Sequence, residues 1–159
     1  MPALAPEDLM DIFKLSEQKV DCAGIKLTLA EVYSFKTMGS LGNSARKLPE
    51  VAEISPRNGV FELPQGAYRA VYSEVVEVPE DCLALAIPRS SLMRCGAIIF
   101  TAVWDPGYKG RGEGLLVVFN PHGIELERGV QIAQLVYIKL TRKTKKIYRG
   151  QYYLERIQG

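Results

Sequence analysis

From residue 16 to residue 138 the apolar side chains recur mostly at every second position, in short runs broken by glycine and proline. That spacing puts alternate side chains on opposite faces of an extended chain, so it selects strands and leaves no room for a helical bundle. Tyr68–Val78 and Cys82–Ile87 read as two strands joined by a Pro79-Glu80-Asp81 turn. Ile98–Trp104, Leu115–Phe119, Gly123–Leu126 and Val130–Leu140 continue the series. Many short strands without alternating long helices point to an all-β fold: an antiparallel sandwich, barrel or jelly roll. Only residues 5–15 break the period. Pro6 suits a first helical turn, Glu7 and Asp8 favour its dipole end, and Leu9, Ile12, Phe13 and Leu15 share a face. The pattern predicts one short helix within residues 1–16, packed on the β core. Residues 36–58 are polar and irregular, and read as a long loop.

The chain has 159 residues, the size of one domain, here taken as 1–159 with a tail over 141–159. Twenty basic and eighteen acidic residues leave a net charge of +2, too balanced for a dedicated polyanion binder, so no nucleic-acid partner is expected. The longest apolar runs fall far short of a bilayer span, and residues 1–20 contain no apolar core of a secretory signal. Cys22, Cys82 and Cys95 lie far apart beside a single histidine, which speaks against a disulfide framework or a zinc site. A reducing cytoplasm is the expected location.

Two segments carry chemistry. Pro88-Arg-Ser-Ser-Leu-Met-Arg-Cys-Gly96 does not suit a strand: it reads as one or two capped helical turns, with Arg89 and Arg94 at either end. Its start is either a plain surface turn or an anion site. Thr101-Ala-Val-Trp-Asp105-Pro-Gly-Tyr108-Lys-Gly110 runs a strand into a Pro-Gly turn through an aspartate. Asp105 is either a turn former or a general base held at the mouth of a β scaffold. Gly110, Gly112 and Gly114 lack the Lys-Ser/Thr and the helix of a phosphate loop, and read as a flexible hairpin tip. His122 sits in an exposed turn, and Lys139 to Lys146 form a basic, solvated stretch.

Taken in order, Pro88-Arg89-Ser90-Ser91-Leu92, Trp104-Asp105-Pro-Gly-Tyr108-Lys-Gly110, Asn120-Pro121 and Gln131-Ile-Ala-Gln134-Leu135 resemble the motifs of the dUTPase/dCTP deaminase superfamily, most closely its archaeal-type dUTPases. The resemblance implies a distorted antiparallel jelly roll and a homotrimer with three active sites at subunit interfaces. It also implies Mg2+-bound dUTP as substrate and hydrolysis to dUMP and pyrophosphate. By the same resemblance Asp105 is the catalytic residue that orients and deprotonates the attacking water. Arg89, Ser90, Ser91, Arg94 and Gln134 hold phosphate, and Tyr108 packs beside the deoxyribose. Tyr148 and Tyr152 belong to a tail similar to those that close over nucleotide in dCTP deaminases. No protein metal ligand is expected, magnesium being held mainly through phosphates and water.

The sequence departs from that pattern at three places. Lys26 stands where an aspartate is usual, with Asp21 as a possible substitute, and Gln131 and Lys109 replace frequent arginines. The rival readings are a dCTP deaminase or bifunctional enzyme, and a non-catalytic nucleotide-binding regulatory trimer. Deamination needs a carboxylate at the position that falls on Leu115 or Val117, both apolar; the nearest candidate, Glu113, is assigned to the hairpin tip.

Overall fold

The computed structural model describes residues 2–157; Met1, Gln158 and Gly159, at the ends of the expected 1–159 domain, lie outside the described residues. The chain opens with helix α1 (Pro6–Phe13), closed by Lys14 in the left-handed region, and a 3₁₀ turn over Glu17–Lys19. Strands follow as β1 (Val20–Asp21), β2 (Gly24–Phe35), β3 (Ser40–Leu41), β4 (Arg46–Lys47), β5 (Val51–Glu53), β6 (Val60–Leu63), β7 (Gly66–Tyr72), β8 (Val76–Glu77) and β9 (Cys82–Pro88). Helix α2 (Ser90–Arg94) interrupts the series. Then come β10 (Ala97–Phe100), β11 (Lys109–Gly110), β12 (Glu113–Val118), β13 (Ile124–Glu127) and β14 (Gln131–Lys139).

The main sheet is antiparallel, in the order β10-β12-β7-β2-β14-β9, with β1 and β5 paired onto β2. Its two edges meet beyond β10. Trp104 forms a bridge with Ala84 of β9, and the Thr101 hydroxyl donates to the Ala86 carbonyl, so the sheet curls into a nearly closed barrel of jelly-roll type. The alternation read from the sequence is the reason it closes around one core. Leu27, Leu29, Val32, Ala70, Tyr72, Leu116, Val118, Leu135 and Tyr137 all point inward and are buried. Helix α1 lays Leu9, fully buried, against that core, as its apolar face requires.

Three local expectations are corrected. Tyr68–Val78 is not one strand. After Tyr72 the chain breaks away because the Glu74 carboxylate takes the Thr28 N–H and hydroxyl, both at 2.8 Å, and β8 pairs instead with β11. Residues 36–58 are not irregular throughout: β3 and β4 form an exposed hairpin, and β5 extends the sheet. The glycines of 110–114 are not a flexible tip. A Cβ on Gly112 would lie 2.8 Å from the Trp104 ring, and one on Gly114 would lie 2.7 Å from Ile99. They are bare because two side chains pack directly on the backbone there.

Candidate active site

Strand β9 delivers Arg89 to the head of α2, where its backbone N–H donates to the Ile132 carbonyl of β14 at 2.9 Å. The guanidinium is not idle. It pairs with Asp21 and donates to the Gln131 Oε1 at 2.6 Å, while Gln131 Nε2 donates to Asp21 at 3.2 Å. The Cys22 backbone N–H, then Gln131 and Arg89, hold the Asp21 carboxyl below its usual range. Asp21 therefore orients Arg89 rather than standing in at a metal site, and Lys26 turns away to donate to the Gln18 carbonyl at 3.0 Å. Ser90, Ser91 and Arg94 are exposed along α2, with no side-chain cap bond at its start. Gln134 lies on β14 between Lys26 and Ile87, and its Oε1 is buried without a partner among the described residues. A buried amide oxygen left unpaired is a strained arrangement that a bound donor would relieve.

Asp105 is exposed at the far side of the Trp104–Ala84 bridge, where its carbonyl accepts the Tyr108 N–H at 3.0 Å in the Pro-Gly turn. Gly107 sits at φ 82°, which the turn requires and other residues rarely adopt. Tyr108, in contrast, is sealed. Its ring stands edge-on to Trp104 (centroids 5.4 Å apart) and beside Tyr148 (5.8 Å), and its hydroxyl donates to Glu155 at 2.8 Å. Burial, then the Glu155 carboxylate, raises the Tyr108 hydroxyl well above the ordinary tyrosine range, and burial likewise pushes the Glu155 carboxyl up. Tyr152 is partly exposed and donates its N–H to the Tyr148 hydroxyl at 3.2 Å.

Glu113 opens β12 opposite Val71; it is not at a loop tip. Its carboxylate lies 3.3 Å from Arg69 and 2.7 Å from Arg156. With Thr101, Ala102, Leu115, Phe35 and Leu48 it lines an open cleft of about 410 Å³. Leu115, one of the two positions on which the expected deaminase carboxylate falls, lines that cleft; like Val117, the other, it is apolar and carries no exchangeable proton. Two guanidiniums, Arg69 and Arg156, hold the Glu113 carboxylate.

One chain does not bring the site together. Trp104 faces Ala84 in an antiparallel bridge, which sets Asp105 level with Leu83, six residues before Arg89, so at about 3.3 Å per residue Arg89 and Asp105 lie on the order of 20 Å apart. Among the described residues no three His, Cys, Asp or Glu side chains gather as a metal cage.

A family model described as dCTP deaminase-like matches residues 3–140. The chain belongs to that family. Among its curated relatives, a probable deoxyuridine 5'-triphosphate nucleotidohydrolase of Archaeoglobus fulgidus is 46% identical over 145 residues, covering 90% of this chain and 85% of the relative. The corresponding protein of Aeropyrum pernix is 42% identical over 137 residues, covering 86% of each. The deoxyuridine 5'-triphosphate nucleotidohydrolase of Methanocaldococcus jannaschii is 37% identical, covering 87% of this chain and 89% of the relative. Among solved structures, a 2'-deoxycytidine 5'-triphosphate deaminase of Agrobacterium tumefaciens superposes with a TM-score of 0.69 at 18% identity, over 90% of this chain and 50% of that one. That likeness is one of fold. In this dCTP deaminase-like chain the motif residues thus fall into two groups, one around Arg89 and one around Asp105.

Sequence reasoning missed Arg69, Glu155 and Arg156, the residues tied to Glu113 and Tyr108. Their partners lie 43 and 47 residues away in the chain for the tail contacts, so no local pattern could announce them.

Proposed function

We propose that the protein hydrolyses dUTP to dUMP and pyrophosphate. One observation carries the reading above the others: relatives that share 37–46% identity over most of the chain are named deoxyuridine triphosphate nucleotidohydrolases. Asp105, exposed on a rigid turn, is read as the base that orients water and takes its proton as oxygen attacks the α-phosphorus. Arg89, preset by Asp21 and Gln131, supplies bidentate donors to phosphate, with Ser90, Ser91, Arg94 and Gln134 completing the phosphate contacts. Tyr108 is assigned to the deoxyribose, Tyr148 and Tyr152 to the tail that meets the nucleotide, and the cleft at Leu115 to the base. The exposed Asp105 carboxylate and the absence of a protein cage among the described residues fit magnesium as an ion that would arrive with the nucleotide, and when bound it would neutralise charge on the phosphates.

The two groups of motif residues require a partner chain, so the working unit is proposed to be a homotrimer, with Arg89 and Asp105 of different subunits at each site. Ile87, Met93, Phe100, Val103 and Phe119, each roughly half exposed, supply apolar surface for such contacts. No helix among the described residues is long and apolar enough to cross a membrane, and the three cysteines are unpaired. A cytoplasmic location is the proposal these features support. The clamped Glu113 and apolar Leu115 weigh against deamination.

Asp105→Asn tests the mechanism. The isosteric amide keeps the turn but cannot accept the proton, so turnover should fall about 10²–10⁴-fold while binding of a non-hydrolysable analogue persists. Turnover at the parental rate would remove Asp105 from the mechanism.

A further inference from the structure

Among the described residues that line the cleft at Leu115, Arg69 is the one cation. It stands on β7 directly opposite Leu115 of β12 and, on its other side, directly opposite Tyr33 of β2; Leu115 in turn faces Phe100 of β10. Residues directly opposite one another share a face, so Tyr33, Arg69, Leu115 and Phe100 form one row across the outside of the sheet. The remaining walls are apolar: Phe35, Leu48, Phe100 and Leu115 are each 40–52% exposed there.

The Arg69 guanidinium is held in place without being used up. Its central carbon lies 4.6 Å from the centroid of the Tyr33 ring. That ring is itself fixed, because the Tyr33 hydroxyl donates to Glu31 at 2.6 Å and Glu31 is tied to Arg111 at 2.7 Å. The Arg69 Nε lies 3.3 Å from the Glu113 carboxylate, paired in charge but not aligned as a hydrogen bond. Among the described residues these are the partners of Arg69, so its terminal nitrogens keep their N–H donors for whatever enters the cleft. A planar fork already stacked and anchored loses little freedom when it binds, and partial burial keeps water from competing for it.

We infer that Arg69 selects the nucleobase, its terminal N–H groups donating to the C4 carbonyl of uracil. The inference rests on the dUTP reading, with the nucleobase in this cleft. Arginine only donates and stays protonated, so it cannot turn round to accept from a cytosine amine, as an amide or a water could. Cytosine at the same place sets a donor against a donor and leaves both unpaired between apolar walls. The reach is right for one nucleotide. Ala102 on the cleft wall is three residues from Asp105, so no more than about 11 Å of backbone separates the cleft from the carboxylate proposed to activate water.

Calorimetric binding to the intact protein tests it, with the magnesium complexes of three non-hydrolysable probes: the α,β-imido analogues of dUTP, dCTP and 4-thio-dUTP. In the last, sulfur replaces only the C4 oxygen and accepts hydrogen bonds weakly. The parent should bind the uracil probe on the order of 100-fold more tightly than the cytosine probe, and about tenfold more tightly than the thio probe. Arg69→Met keeps an apolar stem and leaves Glu113 paired with Arg156. It should bind the uracil probe about tenfold more weakly and shrink both preferences to about twofold. Arg69→Gln, whose amide can turn to accept or donate, should likewise bind uracil and cytosine probes about equally. A residue that merely shapes the cleft would lower all three affinities alike and leave the preferences intact. Parental preferences in either variant would therefore overturn the role of Arg69 while the dUTP reading stands. A parent that binds none of the three probes would overturn the dUTP reading and this inference with it.

Discussion

Tyr72→Phe is predicted to make the protein more stable, against the general rule that substitutions at fully buried aromatics destabilise. Tyr72 is 0% exposed on β7, and among the described residues its hydroxyl is buried with no hydrogen-bond partner. Burial alone pushes its ionisation far above the usual range. A buried hydroxyl left unpaired costs about 1–3 kcal/mol relative to its hydrated state in the unfolded chain. Removing it leaves a void on the order of 10–15 Å³, which at about 24 cal/mol per Å³ returns only about 0.3 kcal/mol. The polar cost wins, and the net gain is about 1–2 kcal/mol, or roughly 2–8 °C in Tm for a domain of this size. The ring contact with Trp104, 6.0 Å between centroids, is retained, so the turn that presents Asp105 should be undisturbed. Thermal melts of parent and variant should be run at one matched protein concentration, since association itself raises Tm. A further sign follows from the raised ionisation: above about pH 10 the unfolded chain loses the Tyr72 phenol proton while the folded state keeps it, so the parent loses additional stability as pH rises through that range. The variant should lose less stability between about pH 9 and 11 than the parent does. A variant less stable than the parent by about 1 kcal/mol would refute the reasoning, and would mean that the hydroxyl is satisfied, for example by an internal water.

Burial, with Asp81 adding to it, pushes the Cys82 thiol up to about 11, whereas Cys22 and Cys95 are exposed. A thiol reagent at pH 8 should therefore titrate two fast groups in the native protein and a third only on unfolding; three fast thiols would contradict the buried position. Because the Asp21 carboxyl is held below its ordinary value, it contributes stability above about pH 4 that fades as pH falls through its folded value. The stability difference between parent and Asp21→Asn should thus be present at pH 7 and shrink in acid as pH falls through the folded value of Asp21; a constant difference would exclude the ion pair as its source. Gly24→Ala should weaken or abolish folding, since its Cβ would lie 2.4 Å from the Leu135 carbonyl oxygen on the neighbouring strand; a soluble variant with parental Tm would refute that packing.

The strands were legible where alternation governs them. Cys82–Ile87, Leu115–Phe119 and Val130–Leu140 match β9, β12 and β14 closely because each has one face on the core. The twelve-residue β2 was harder to read because its single run serves several partners, β1, β14, β7 and β5, with a register shift between Leu29 and Glu31. The break after Tyr72 depends on Glu74 reaching Thr28, 46 residues away, and no local pattern encodes that. The two motifs proposed to bind phosphate and to activate water were visible as residues, but not their distance apart: Arg89 and Asp105 are sixteen positions apart in sequence, and only the bridge between Trp104 and Ala84 sets them toward opposite ends of one strand. Glycines 110–114 misled because glycine serves both flexibility and close packing, and only the side chains over them, Trp104 at Gly112 and Ile99 at Gly114, decide which.

The central claim is a choice of substrate and bond. Uracil and cytosine exchange a carbonyl and N–H for an amine and a bare acceptor, so a pocket paired to one leaves polar groups unmatched by the other, at about 1–3 kcal/mol each. Leu115 offers no proton shuttle, and Glu113 is held by Arg69 and Arg156. The most direct measurement is to incubate the protein separately with dUTP and dCTP in the presence of magnesium and identify the products. The account predicts dUMP and pyrophosphate from dUTP and no ammonia from dCTP; intact dUTP, or ammonia released from dCTP, would contradict it.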